Sequence, residues 1–187
     1  MAFHHVALAT TDIDATHRFY TEAMGFTLAK TVVAPTGSPG GGWAKHVFYD
    51  TGDGSYFVLW DLYLEDQMDE DWNASISTGL GLPWWINHIA FQVDDLEALE
   101  TKKQHWLAQG HKVSEVEHEF ITSIYTRDPD GNLVEFTCNT RELDESDFAE
   151  ALVLLADDDP ATEPDYEGTV YLPDGRIIHA PSTASRR

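Results

Sequence analysis

The chain has 187 residues, 42% of them hydrophobic, and carries 33 acidic against 11 basic side chains for a net charge of −22. It is long enough to bury a core in one domain or two small modules, and it has no basic footprint with which to grip nucleic acid or an anionic membrane surface. The single cysteine, Cys138, excludes an internal disulfide; with no signal-peptide pattern and no 18-residue apolar run, a cytoplasmic location is expected.

In chain order, Phe3, His5, Ala7 and Ala9 alternate onto one face of a first strand. Asp12 caps a helix that runs to about Met24 and closes at Gly25. A second strand follows over residues 26–33, then a glycine- and proline-rich loop over 35–42. Two further strands, 43–49 and 56–63, are joined through Asp50-Thr51-Gly52-Asp53-Gly54. This first βαβββ module covers residues 1–64, and an acidic linker covers 65–83.

The pattern then restarts. His5-Val-Ala-Leu-Ala-Thr-Thr-Asp-Ile-Asp-Ala15 aligns without gaps on His88-Ile-Ala-Phe-Gln-Val-Asp-Asp-Leu-Glu-Ala98. A second helix is expected from about Leu96 to Gln109, closed by Gly110, with strands near 112–117, 120–127 and 132–138. Residues 84–139 are therefore a second βαβββ module, and the fold class is α+β: paired modules whose open sheets close a curved cleft side by side. Residues 140–187 form an acidic extension. It comprises an amphipathic helix near 142–156 with Leu143, Phe148, Leu152 and Leu155 on one side, a mobile acidic run near 157–167, and a small hairpin near 170–179.

The duplication sets His5 and His88 at the same place on the first strand of each module. Glu135 lies four residues past Gly131 on an apolar strand, where a carboxylate needs a positive partner. The matching position in the first module is Val58. Two imidazoles and one carboxylate suit a divalent first-row ion with open positions, as in non-haem Fe(II) oxygenases. His46, His118 and Tyr125 are candidates to support that set. Trp43, Trp60, Trp84, Trp85 and Phe120 offer aromatic surface for a ring-shaped ligand, with His46, Trp60 and Phe120 as pocket candidates.

Over residues 3–138, the motifs HVALATTDIDATHRFYTEAMGF and SIYTRDPDGNLVEF resemble the vicinal oxygen chelate superfamily, which includes glyoxalase I, fosfomycin- and bleomycin-resistance proteins and type I extradiol dioxygenases. Val116-Glu117-His118, five residues, Ile124-Tyr125, two residues, Asp128-Pro129-x-Gly131 and then Glu135 resembles the signature of the ring-cleaving extradiol enzymes, in particular the one-domain type. The resemblance implies metal ligands His5, His88 and Glu135, active-site donors His118 and Tyr125, an Fe(II) cofactor, and a catechol-like aromatic substrate cleaved with O2. Mn, Ni, Zn or Mg would serve the alternatives: a glyoxalase-like isomerase, lyase or thiol transferase, favoured if Asp61 were a further ligand. A third alternative is a non-catalytic antibiotic-binding protein. Assembly into a dimer or larger homo-oligomer is expected in either case.

Overall fold

The computed structural model describes residues 3–37, 40–64, 72–161 and 168–179. Ten strands and three α-helices occur among them. The first module contributes β1 (His5–Thr10), α1 (Ile13–Arg18), β2 (Thr27–Pro35), β3 (Trp43–Asp50) and β4 (Tyr56–Tyr63). The second contributes β5 (His88–Gln92), α2 (Leu96–Ala108), β6 (Val113–Glu117), β7 (Ile121–Arg127) and β8 (Leu133–Asn139). The extension adds α3 (Glu145–Ala156), β9 (Gly168–Tyr171) and β10 (Ile177–His179). The linker expected over 65–83 and the acidic run near 157–167 lie in part outside the described residues.

Both modules carry the same topology, the outcome expected of a duplication. Strand order is β1-β4-β3-β2 in the first sheet and β10-β9-β6-β7-β8-β5 in the second, so β5-β8-β7-β6 repeats the first order with a hairpin added at the β6 edge. The caps repeat as well. The Asp12 carboxylate accepts from the Ala15 amide at 3.0 Å, and that of its aligned counterpart Asp95 accepts from Ala98 at 2.8 Å, each satisfying an amide the helix leaves unpaired. Gly25 and Gly110 end the helices at φ 79° and 86°, a left-handed backbone that costs glycine little.

Two compact units are discerned, Met1–Ile89 with Arg127–Val134, and Ala90–Thr126 with Glu135–Arg187. In the first, Tyr20 is fully buried and stacks on Phe57 at 4.1 Å between centroids, with Phe26, Val47, Tyr49 and Leu59 completing the core. The helix expected to run to Met24 instead widens after Arg18 into a π-helical turn, Phe19–Ala23. The adjacent aromatics Phe19 and Tyr20 at the start of this turn are both buried. In the second unit the fully buried Trp106 of α2 packs on Phe136 of β8 at 5.1 Å, above Val113 and Ile124.

The extension divides in two. β9 pairs antiparallel with β6 (Val113 opposite Tyr171, Val116 opposite Gly168), and β10 pairs with β9, so the hairpin covers an edge that would otherwise present unpaired backbone. The Lys103 ammonium, ion-paired to Glu100 and Glu115, lies over the Tyr171 ring at 4.4 Å and ties α2 to the hairpin. The helix of the extension departs from expectation. α3 forms with a complete capping box between Asp144 and Asp147, yet it buries no residue, and Phe148, Leu152 and Leu155 stay in water.

Candidate functional site

In the first sheet, register decides which side chains share a face. His5 lies opposite Tyr56, Ala7 opposite Val58 and Ala9 opposite Trp60 in the parallel β1–β4 pair; Trp60 lies opposite His46, Val58 opposite Phe48 and Leu62 opposite Ala44 in the antiparallel β3–β4 pair. Because side chains alternate along a strand, these residues line one face, and Phe57, Leu59 and Tyr49 point to the other, where α1 and the π-helical turn pack. The helix-free face therefore runs in successive rows: His5 and Tyr56; Ala7, Val58 and Phe48; Ala9, Trp60 and His46; Leu62, Ala44 and Ala34.

The His46 ring lies flat on Trp60, with centroids 3.8 Å apart and planes 8° from parallel, and its centroid is 6.3 Å from that of His5. Its Nε2 is the buried side-chain nitrogen or oxygen without a hydrogen-bond partner among the described residues. Burial, and then the nearby His5, hold the His46 pKa below the ordinary histidine value, so the ring is neutral at neutral pH. Beyond Trp60 the same face opens into a cavity of about 370 Å³ lined by Ala9, Ala34, Pro35, Thr36, Ala44, Trp60 and Leu62.

The second unit holds a hydrogen-bonded chain. Glu135 is 2% exposed on β8, and the Tyr125 hydroxyl of β7 bonds to its carboxylate. His118 Nε2 lies 3.2 Å from the same hydroxyl. A carboxylate oxygen accepts, so Tyr125 donates to Glu135 and in turn accepts from His118 Nε2–H. Burial, with Glu135's charge and hydrogen bond adding to it, pushes the Tyr125 pKa up to about 12, which keeps the phenol protonated at neutral pH. His118 occupies the β6–β7 reversal, where its amide donates to the Ile121 carbonyl at 2.8 Å. This reversal brings its ring back to Tyr125.

The remaining candidates fall as follows. His5 and His88 each open the first strand of their module and are exposed. His88 Nδ1–H donates to the Ile86 carbonyl at 3.2 Å. His4 Nδ1 lies 2.7 Å from His5 Nδ1. Phe120 sits exposed in the β6–β7 turn, and Trp84 and Trp85 are also exposed, with the Arg127 guanidinium 3.9 Å above the Trp84 ring. Trp43 stacks on Tyr63 at 3.8 Å instead of lining the face of His46. Asp61 points away from Val58 and Trp60 and is ion-paired to Lys45 at 2.8 Å. The sequence reading missed the three alanines of the cavity; their signal was small residues at facing positions on β1, β2 and β3.

The donor types proposed, two imidazoles and one buried carboxylate, fit a divalent first-row ion. Among the described residues, no three His, Cys, Asp or Glu side chains are grouped tightly enough to hold one as they stand. No helix among them is long and apolar enough to cross a membrane.

Comparison with known proteins places this architecture. The chain is similar to the crystal structure of a glyoxylase/bleomycin resistance protein/dioxygenase domain from Frankia sp. EAN1pec, at 18% identity over 76% of this chain and 95% of that one, with a TM-score of 0.55. It is also similar to lactoylglutathione lyase from Agrobacterium tumefaciens (22% identity, 73% and 92% coverage, TM-score 0.49). A third is the fosfomycin resistance protein FosX from Listeria monocytogenes (19%, 75% and 94%, TM-score 0.49). At these identities the likeness concerns the fold. A search of curated proteins found no match. The family model matches residues 2–136, most of the chain and both βαβββ modules, and the protein belongs to the Glyoxalase/Bleomycin resistance protein/Dioxygenase superfamily.

Proposed function

We propose that this protein is an Fe(II)-dependent, extradiol-type dioxygenase that opens the ring of a catechol-like aromatic. The observation that carries the reading is the Glu135–Tyr125–His118 chain, a single buried carboxylate held by a protonated phenol and an imidazole. It is supported by Val58, fully buried where a second carboxylate would stand by symmetry. In this reading His5, His88 and Glu135 hold the metal. The chemistry supplied by bound Fe(II) is a set of open coordination positions for two vicinal oxygens and O2.

This chain's own residues then do the following work. Tyr125, donating to Glu135, fixes the carboxylate's orientation and limits its mobility. Neutral His46, with Nε2 unengaged, accepts a proton from a substrate hydroxyl. His118 holds its own proton at Nε2 against the Tyr125 oxygen and would donate that proton to the product, His46 losing its acquired proton to solvent and His118 regaining one from solvent. Trp60, stacked flat against His46, adds apolar aromatic surface to the cavity beside it.

Two alternatives remain in view. The glyoxalase-like isomerase, lyase or thiol transferase reading would be favoured by Asp61 as a further ligand; that carboxylate is ion-paired to Lys45. Capture of a small molecule without reaction is favoured by the ungrouped donors and the apolar cavity beside Trp60. Anaerobic reconstitution with Fe(II), then addition of a panel of catechols and O2, should give a yellow ring-fission product. An absence of product across the panel, in protein shown by metal analysis to hold iron stoichiometrically, would overturn the dioxygenase reading. Native protein that lacks stoichiometric metal, and binds its ligand equally with chelator present, would establish the capture reading.

A further inference from the structure

We infer that the alanine-lined cavity of the first sheet is a specificity pocket for a compact apolar substituent on the substrate ring, of phenyl or branched-alkyl size. The part of this inference that concerns the ring rests on the catechol reading above. The pocket itself rests on the cavity and its register.

Three observations carry it. First, the cavity is built by deletion of side-chain volume: Ala9, Ala34 and Ala44, on three different strands, stand where larger strand residues would fill the face. Ala44 is 2% exposed, so its small size governs the depth of the space. Second, the walls are mostly apolar: Leu62, Pro35 and Trp60 line the space with the alanines, and Thr36 is the polar residue among them. A dry apolar cavity of about 150 Å³ already accepts benzene, and this one measures about 370 Å³.

Third, the pocket is aligned with the polar end of the same face. The row of Leu62 and Ala44 is two residues beyond the row of Trp60 and His46, a step of about 7 Å along the strands. His46 Nε2, without a partner, belongs to that row, and the His5 ring, 6.3 Å from the His46 ring, lies on its far side. A molecule that offers oxygens to the histidines and lies along Trp60 would thus direct the opposite edge of its ring into the pocket. This selects catechols substituted across the ring from their hydroxyls over unsubstituted catechol.

Anaerobic calorimetry with catechol and 4-tert-butylcatechol, on protein with and without Fe(II), tests the inference. Burial of the four-carbon substituent should tighten binding on the order of 30-fold in wild type. Ala44→Leu should remove most of that advantage and leave catechol affinity unchanged. Ala34→Leu, on the exposed edge strand β2 where a larger side chain meets no core, should do the same, which guards against a folding defect in the first variant. Equal affinities for the two ligands in wild type, or equal loss for both ligands in both variants, would overturn the pocket. Tight substituent-dependent binding with no ring-fission product on admitting O2 supports the pocket and refutes the dioxygenase reading, so the two failures are separable.

Discussion

Replacing Asp128 by asparagine should change how stability depends on pH, in a direction the structure dictates. Asp128 opens the Asp-Pro-Asp-Gly turn and is 5% exposed. Burial raises its pKa from the ordinary 3.8 to about 6, and the charge of Asp130 adds to the rise. The hydrogen bonds from Asn132 and Tyr20 oppose it without cancelling it. The carboxylate accepts from the Asn132 amide at 2.8 Å and from Asn132 Nδ2 and Tyr20 Oη at 3.0 Å each. Because the folded pKa exceeds the unfolded one, the folded state holds the proton more tightly between about pH 4 and 6. The resulting stability is fully present below pH 4 and is lost as pH rises through 6. A separation of about two pH units is worth about 3 kcal/mol. Asparagine keeps the shape and carries no charge, so the unfolding free energy of Asp128→Asn minus that of wild type should rise by about 3 kcal/mol between pH 4 and 7.5. Urea titrations of both proteins at half-unit pH steps measure it, and other carboxylates cancel in the difference. A flat difference, or one that falls with pH, would refute the assignment of a buried, high-pKa carboxylate to Asp128.

Other substitutions probe separate links. Glu135→Ala should lose bound metal on dialysis while wild type retains it, measured by elemental analysis; equal retention would remove Glu135 from the ligand set. With His46 held below the ordinary histidine pKa, kcat/KM should fall with acid only below about pH 6.5, and His46→Asn should abolish that limb along with most of the rate. Gly42 has φ +113°, and a Cβ there would overlap the Tyr63 carbonyl oxygen, so Gly42→Ala should cost about 2 kcal/mol or more in denaturation experiments. Lys103→Met leaves Glu100 and Glu115 without their cation and the Tyr171 ring without its cover; a loss of about 2 kcal/mol is expected, with faster hydrogen exchange along β9.

The local grammar of the chain was legible without coordinates. The gapless match of His5–Ala15 to His88–Ala98 foretold two modules of like topology, and Asp12, Asp95, Gly25 and Gly110 marked helix ends through backbone rules that act over a few residues. Period-two alternation likewise told which residues share a face of a strand. What alternation does not carry is the register between strands, since a shift of two residues preserves the pattern and moves every neighbour. Only the fold sets His46 flat on Trp60, turns Asp61 toward Lys45, and aligns Ala9, Ala44 and Ala34 into one cavity. Only the fold, too, bends the chain at His118 so that its ring reaches Tyr125, and leaves the apolar side of α3 in water. Residue types and their spacing determined which chemical groups this protein owns; long-range packing decided which of them meet.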